Sequence, residues 1–254
     1  MQPDKAADKN TAVNLKDTAA QSVSRELCVK ADAFRFSKMY RESVKAYLQA
    51  IMSDRNEKKA YYGLAVSYKY LKEYKKAIAT LHKLIELDDS CDEYFFELGV
   101  CYLADEQPAL AIKYLVKAVI INRDNLEAQI QLAAAHELAD EKDLSLMIYN
   151  KLIETNPEFL RAYYNKGIML MDSGNYMEAA QTFYRLTKRN SDYYRGYWGI
   201  AVCFDKMGKY KEAVRYYKKF LGKKQFSEKT LFVKNRINEL RSRYFSKNNR
   251  LTLV

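Results

Sequence analysis

The sequence is poor in the two residues that most often interrupt regular structure, since its 254 residues include only 8 Gly and 3 Pro. Gly and Pro mark the turns between short strands, so their scarcity argues against a many-stranded β fold and favours long helices joined by short turns. Hydrophobic residues make up 48% of the chain, which is enough to bury a substantial core. We therefore expect an all-α protein.

Cysteines and long apolar runs are also scarce. The four cysteines show no Cys-x-x-Cys pair and no metal-ligand spacing, which favours packed thiols in a reducing compartment over disulfides. No apolar run is long enough to cross a membrane, and the polar residues 1–23 contain no signal-peptide pattern. We expect a cytoplasmic protein without a membrane span, in which residues 1–23 form a disordered arm.

Groups that carry catalysis or bind cofactors are missing as well. The sequence has no glycine-rich phosphate loop and no His-Glu-x-x-His pair. Of its two histidines, His136 is expected to be a hydrogen-bonded packing residue and His82 a surface residue. The sequence therefore predicts neither an enzyme nor a bound cofactor or metal.

What the sequence does contain is an internal repeat of 34 residues, which aligns six repeats without a gap. Positions 8 and 20 of every repeat are small, which predicts that two helices approach closely there, while the large residue at position 24 fills the space beside them. The repeats are residues 24–57, 58–91, 92–125, 126–159, 160–193 and 194–227. Their small residues are Ala31, Ala65, Gly99, Ala133, Gly167 and Ala201 at position 8, and Ser43, Ala77, Ala111, Ser145, Ala179 and Ala213 at position 20.

This pattern resembles the tetratricopeptide repeat family. The period, the small residue at position 8, the spacing between positions 20 and 24, and Pro157 at position 32 all match the family's pattern. Lys30 and Lys166 depart from it, because position 7 is usually apolar. The resemblance covers residues 24–227 and implies a right-handed α-solenoid of helix–turn–helix hairpins.

A further amphipathic helix is predicted over residues 228–246, followed by a basic tail over 247–254. Ser227 is placed to cap this helix, which can cover the last hydrophobic face of a repeat array or dock on a partner. The first repeat has no such cover, so the oligomeric state stays open. The apolar face of the helix is made by Val233, Ile237, Leu240 and Tyr244.

A binding surface follows from the resemblance, which implies that positions 2, 5, 6, 9 and 13 of the first helices line a groove. Large apolar residues at position 5 predict anchors for an extended or helical segment of another protein, with polar neighbours setting its register. The alternative is that these residues pack between helices. The apolar residues, here called the ladder, are Tyr62, Phe96, Ile130, Tyr164 and Trp198, and the polar neighbours are Lys59, Glu93, Glu97, Glu127, Arg161, Asn165 and Arg195.

Some family members bind a C-terminal carboxylate through a five-residue clamp of Lys, Asn and Arg. Only Asn165 and Arg195 match that clamp here, whereas Ile130, Ala134 and Gly199 stand where it needs polar residues. We therefore do not expect a receptor for chaperone tails. An adaptor or scaffold that binds another kind of segment is the function that the resemblance implies.

Charge is distributed unevenly within the formal net charge of +11: residues 92–159 carry −8 and residues 218–254 carry +9. The basic C-terminal helix can attract an acidic protein or a phosphate backbone, or it can simply be solvated. A nucleic-acid-associated repeat protein that uses this helix is the alternative function. The acidic middle and the absence of a nucleic-acid motif argue against it.

Overall fold

The computed structural model describes residues 5–223 and 228–251, and the side chains of 18–223 and 230–243. This part of the chain contains thirteen α-helices and no strand, which confirms the all-α fold class. The helices are α1 (Lys5–Phe36), α2 (Tyr40–Ser53), α3 (Lys58–Tyr70), α4 (Tyr74–Leu87), α5 (Asp92–Ala104), α6 (Pro108–Ile121), α7 (Leu126–Leu138), α8 (Lys142–Thr155), α9 (Leu160–Asp172), α10 (Tyr176–Arg189), α11 (Tyr194–Lys206), α12 (Tyr210–Lys223) and α13 (Glu228–Leu251).

The helices divide into two compact units, Met1–Glu141 and Lys142–Val254, called here the N-terminal unit and the C-terminal unit. In the N-terminal unit each helix packs on the next, and the first helices of successive hairpins, α1, α3, α5 and α7, also contact each other. In the C-terminal unit the packing runs from α8 to α9 and on to α13, with α9 also contacting α11. First helices therefore lie side by side within each unit.

Helix starts follow the 34-residue register. The first helices α3, α5, α7, α9 and α11 begin at residues 58, 92, 126, 160 and 194, which are the first positions of the second to sixth repeats. The turn inside each hairpin holds a left-handed residue at position 15. These residues are Lys38, Lys72, Glu106, Asp140, Gly174 and Gly208, with φ between 58° and 80°.

The N-terminal end differs from the sequence-based expectation, because α1 begins at Lys5 and not near residue 24. A disordered arm was expected over residues 1–23, of which residues 1–4 lie outside the described part. Residues 5–23 contain five alanines and neither Gly nor Pro. Extending an existing helix adds one hydrogen bond for each residue fixed, so such a segment can continue the packed α1.

Close packing of the hairpins centres on the small residues, and all twelve at positions 8 and 20 are buried, as predicted. The large residues at position 24 are buried too, including Tyr47 and Phe183 at 0% exposure. A Cβ atom added to Gly167 or Gly199 would lie 2.6 Å from the Phe183 ring. Phe183 therefore occupies the space that glycines leave on two neighbouring first helices.

The last helix, α13, packs against α12 through an apolar face. Val233 and Leu240 are 0% exposed and Ile237 is 6% exposed. Arg236 donates two hydrogen bonds of 2.8 Å to the Asp205 carboxylate on α11. The helix continues to Leu251, past the predicted end at residue 246, while Ser227 and the Tyr244 side chain lie outside the described residues.

The sequence also predicted packed thiols and no membrane span. Cys28, Cys101 and Cys203 are buried free thiols, and burial raises the pKa of Cys101 and of Cys203 to about 12. Among the described residues, no helix combines the length and the apolar character needed to span a bilayer. In the same residues no group of three His, Cys, Asp or Glu side chains is arranged to hold a metal ion.

Candidate functional site

The ladder residues of the N-terminal unit are less accessible than the sequence analysis expected. Tyr62 is half-buried, and its ring centre lies 5.8 Å from that of Tyr94. Phe96 is also half-buried and packs on a core cluster of Phe95, Ala118 and Ala128. Ile130 is only 1% exposed, so it belongs to the core and leaves the candidate binding surface.

Asp32, on α1, organises the polar end of this surface. Its carboxylate lies 2.9 Å from Lys59 Nζ and 3.0 Å from an Arg35 nitrogen, and it accepts a hydrogen bond from the Tyr47 hydroxyl. Burial alone would raise the pKa of Asp32, but these hydrogen bonds outweigh it and hold that pKa below its ordinary value. Lys59, which was predicted to contact a partner protein, thus forms an ion pair with Asp32 of α1. The rest of its side chain stays exposed.

The acidic neighbours divide into two groups. Glu97 is 9% exposed and accepts a hydrogen bond from Lys69 Nζ, so it joins α5 to α3 inside the unit. Glu93 is exposed, and Glu127 is half-buried. Burial, followed by the nearby charges of Glu97 and Glu93, raises the pKa of the Tyr62 hydroxyl. Of the three predicted acidic neighbours, Glu93 alone is therefore fully exposed.

In the C-terminal unit the ladder residues Tyr164 and Trp198 are half-buried on α9 and α11, with Asn165 half-buried beside them. Arg161 and Arg195 are exposed. The Arg195 guanidinium carbon lies 6.0 Å from the centre of the Tyr164 ring, and the Tyr193 ring lies 5.9 Å from it. A cavity of about 330 Å³, lined by residues 190 and 192–195, opens beside this group.

Phe232 continues the 34-residue register of the ladder by one step, although it was not among the predicted residues. It stands on α13, 34 residues after Trp198, and it is 63% exposed, with Leu231 next to it at 66%. The signal was present in the sequence, because continuing the repeat register by one step leads from Trp198 to Phe232.

The basic residues near the C terminus are partly engaged within the fold. Arg236 forms its paired hydrogen bonds with Asp205 and a further one of 2.7 Å with Glu239. Lys223 Nζ lies 2.6 Å from Asp192. Arg236 and Lys223 therefore pair with carboxylates of the fold, which leaves them less available to bind a polyanion.

The two histidines have structural neighbours. His136 Nδ1 lies 2.6 Å from Glu141, in agreement with the predicted hydrogen-bonded packing residue. His82 is half-buried, and its Nε2 lies 2.9 Å from the Tyr102 hydroxyl, so it is more enclosed than the surface position that the sequence predicted. Its position on α4 turns it towards the rings of α5 and α6.

The helical hairpins, their fixed register and the side chains along the first helices define an α-solenoid repeat protein, a class in which stacked repeats form extended surfaces. Sequence profiles described as tetratricopeptide repeat match residues 59–89 and 164–228. The chain belongs to the tetratricopeptide repeat family.

Curated relatives match only parts of this chain. Tetratricopeptide repeat protein 8 of Caenorhabditis elegans is 23% identical over 146 residues, which are 57% of this chain and 29% of that protein. Superkiller protein 3 of Saccharomyces cerevisiae is 25% identical over 85 residues, which are 34% of this chain and 6% of that protein. This chain therefore spans less than a third of the length of either relative.

Solved structures support the same fold. PilW, described as a type IV pilus biogenesis factor, has a TM-score of 0.70 at 18% identity, over 83% of this chain and 98% of that one. YrrB, described as a TPR protein with an unusual peptide-binding site, has a TM-score of 0.54 at 20% identity, over 76% and 99%. At these identities the likeness establishes the helical-hairpin architecture alone.

Proposed function

We propose that this chain is a protein–protein interaction scaffold, and that a peptide segment of a partner binds across the first helices of the C-terminal unit. The observation that carries this proposal is the series Tyr164, Trp198 and Phe232, three large side chains at the same register position of α9, α11 and α13. Tyr164 and Trp198 are half-buried, and Phe232 is 63% exposed. A row of accessible rings on rigid helices is the kind of surface that anchors a peptide.

The charges beside this row indicate what the peptide carries. Arg161 and Arg195 are exposed at position 2 of α9 and α11. Arg195 lies over the Tyr164 ring, and a guanidinium held against an aromatic face keeps its outer edge available for a carboxylate. We therefore propose a segment with apolar anchors and at least one acidic residue, which fixes its register on the arginines.

In the N-terminal unit the proposal covers fewer of the predicted residues. Tyr62, Phe96, Lys59, Glu93 and Glu127 remain candidates for contact with a partner there, whereas Ile130 and Glu97 do not, because the fold uses both. The description of YrrB as a peptide-binding TPR protein is consistent with a peptide ligand for a chain of this architecture.

Trp198 gives a direct readout, since it is the only tryptophan in the chain. Short random peptides displayed on phage are selected on the immobilised full chain, with binders to a Tyr164→Ala/Phe232→Ala variant removed by counter-selection. Each selected peptide, free of tryptophan, is then titrated while Trp198 emission is followed. We expect saturable emission changes, and affinity at least about tenfold weaker for the Phe232→Ala variant than for the original chain.

Met147→Ala is the matched control, because Met147 is 60% exposed in the same unit but lies on a second helix. It should leave the affinity unchanged, and circular dichroism should give equal helicity for all variants. If counter-selection leaves no binders, or if Met147→Ala weakens the selected peptides as much as Phe232→Ala does, the first-helix face is not the binding surface.

A further inference from the structure

A second concave site lies on the side of the C-terminal unit where the second helices α10 and α12 flank α11. Its cavity has a volume of about 400 Å³, within the range of roughly 300–1,000 Å³ that is usual for ligand pockets. The walls are mainly apolar, and they include Met177, Ala180, Tyr184, Ile200, Phe204 and Tyr216.

The cavity is open to solvent at one rim and closed at its floor. Ile200 is 1% exposed and Tyr216 is 7% exposed, whereas Met177 and Tyr184 at the rim are 48% and 45% exposed. The Phe204 and Tyr216 rings stack with their centres 5.7 Å apart, so one wall is a continuous aromatic surface. A void with a rigid apolar floor and an adaptable methionine at its mouth suits a large side chain from another molecule.

Positively charged side chains lie in the wall of this cavity and close to its two stacked rings. Arg185 lines the cavity, and the Arg215 guanidinium carbon lies 5.0 Å from the centre of the Tyr216 ring. Lys219 Nζ lies 5.2 Å from the same ring, and Lys209 Nζ lies 6.0 Å from the Phe204 ring. Across residues 18–223 and 230–243, none of these four cations forms an ion pair. Four cations around an apolar cavity therefore lack the carboxylates that would complement them.

We propose that this cavity is a second docking site, which takes an acidic segment of a partner protein with one aromatic side chain inserted between Tyr184 and the Phe204–Tyr216 stack. The aromatic group removes apolar wall from water and meets stacked rings, while acidic neighbours on the same segment face Arg185, Arg215 and Lys219. The site shares no residue with the first-helix surface, so the two can be occupied together.

The sequence shows why the cavity forms here. Position 21 is occupied by a branched aliphatic residue in every repeat except the fifth, where it is Ala180. Ala180 lies in the cavity wall and is 4% exposed. Alanine is smaller than the branched residue found at this position in the other five repeats, so it leaves room in the cavity wall. The branched residues are Val44, Ile78, Ile112, Leu146 and Val214.

A subtractive selection tests the site with the full chain. Short random peptides displayed on phage are selected on the original protein, and binders to the Ala180→Ile variant, in which the cavity is filled, are discarded. We expect the remaining peptides to share an aromatic residue flanked by Asp or Glu. By fluorescence anisotropy of the labelled peptides, Arg215→Glu should weaken binding at least about tenfold, and added salt should weaken it further.

Controls separate this proposal from the first one. Phe232→Ala on the first-helix face should leave these affinities within about twofold. Tyr184→Ala serves as a second variant at the rim, because its exposed position keeps folding intact even if Ala180→Ile alters the core. The proposal is overturned if no peptide survives the subtraction, if the survivors are not acidic, or if Arg215→Glu and Tyr184→Ala leave the affinity unchanged.

Discussion

Position 25 of one repeat and positions 11 and 23 of the next carry aromatic rings in both units, but the rings are arranged differently. In the N-terminal unit they hold His82, Tyr102 and Tyr114, and the rings contact one another: Tyr102 and Tyr114 stack 5.4 Å apart, and His82 meets both edge-on. In the C-terminal unit the equivalent residues are Tyr184, Phe204 and Tyr216. Phe204 and Tyr216 still stack, but no ring contact joins Tyr184 to either of them within the described part of that unit.

A hydrogen bond and one aliphatic side chain account for this difference. The hydrogen bond between His82 and the Tyr102 hydroxyl holds the imidazole against the other rings. Phe204 has no hydroxyl with which Tyr184 could form such a bond. At position 21 the N-terminal unit has Ile78 and the C-terminal unit has Ala180. A repeat fold therefore turns a packed face into a candidate binding face by losing a few atoms at one position, with its backbone register unchanged.

The largest expected change in stability comes from removing the Ile78 side chain beside the packed rings of the N-terminal unit. Ile78→Ala removes apolar atoms from a half-buried position, and we expect it to destabilise the N-terminal unit by about 2 kcal/mol. Urea unfolding followed by circular dichroism gives the loss, and faster hydrogen exchange in α4 to α6 assigns it to this region. Ile120→Ala is the control, because Ile120 is 70% exposed in the same unit. Equal losses in the two variants would contradict the importance of position 21.

A smaller change in stability, of opposite sign, is expected from filling the cavity of the C-terminal unit. Ala180→Ile should stabilise the C-terminal unit by about 1 kcal/mol, since it fills an existing apolar space. Unfolding of this unit is followed by Trp198 fluorescence in urea. Ala109→Ile, at an exposed position of α6 in the N-terminal unit, measures the helix-propensity cost of isoleucine separately, with its unfolding followed by circular dichroism. A loss of stability larger than in that control would mean that the cavity cannot accept the added atoms.

Much of the fold followed from the sequence, because the features that define it recur at every repeat. Small residues at positions 8 and 20 predict close approaches wherever they occur, and the buried Phe183 between Gly167 and Gly199 shows the geometry that they allow. Local pattern and tertiary packing agree at these positions, so counting residues along the chain was enough to find them.

The candidate site was harder to predict, because exposure at one register position depends on what covers it. Ile130 and Phe232 both stand at position 5, yet their exposed fractions are 1% and 63%. The ion pairs that join neighbouring first helices, such as Asp32 with Lys59 and Asp205 with Arg236, depend on two residues 27 and 31 positions apart. No single-helix pattern contains that information. The Ala180 cavity was detectable only by comparing repeats position by position.

The smallest expected effect concerns pH and the ring cluster of the N-terminal unit. Burial lowers the pKa of His82 below its ordinary value of about 6.5; the charge of Glu86 opposes this shift and that of Lys113 adds to it. The unfolded chain therefore binds a proton at this histidine more readily than the folded chain does. Its contribution to stability is complete above pH 6.5 and decreases as the pH falls below that value.

His82→Tyr introduces the residue found at the equivalent position of the C-terminal unit, and it removes the titrating group. The difference in unfolding free energy between the original chain and this variant should therefore shift in favour of the variant as the pH is lowered from 7.5 to 5.5, in urea titrations at fixed ionic strength. Subtracting the two curves cancels the carboxylates that both proteins share. A difference that does not change with pH would mean that His82 titrates alike in the folded and unfolded chains, and that its contact with Tyr102 does not depend on its charge.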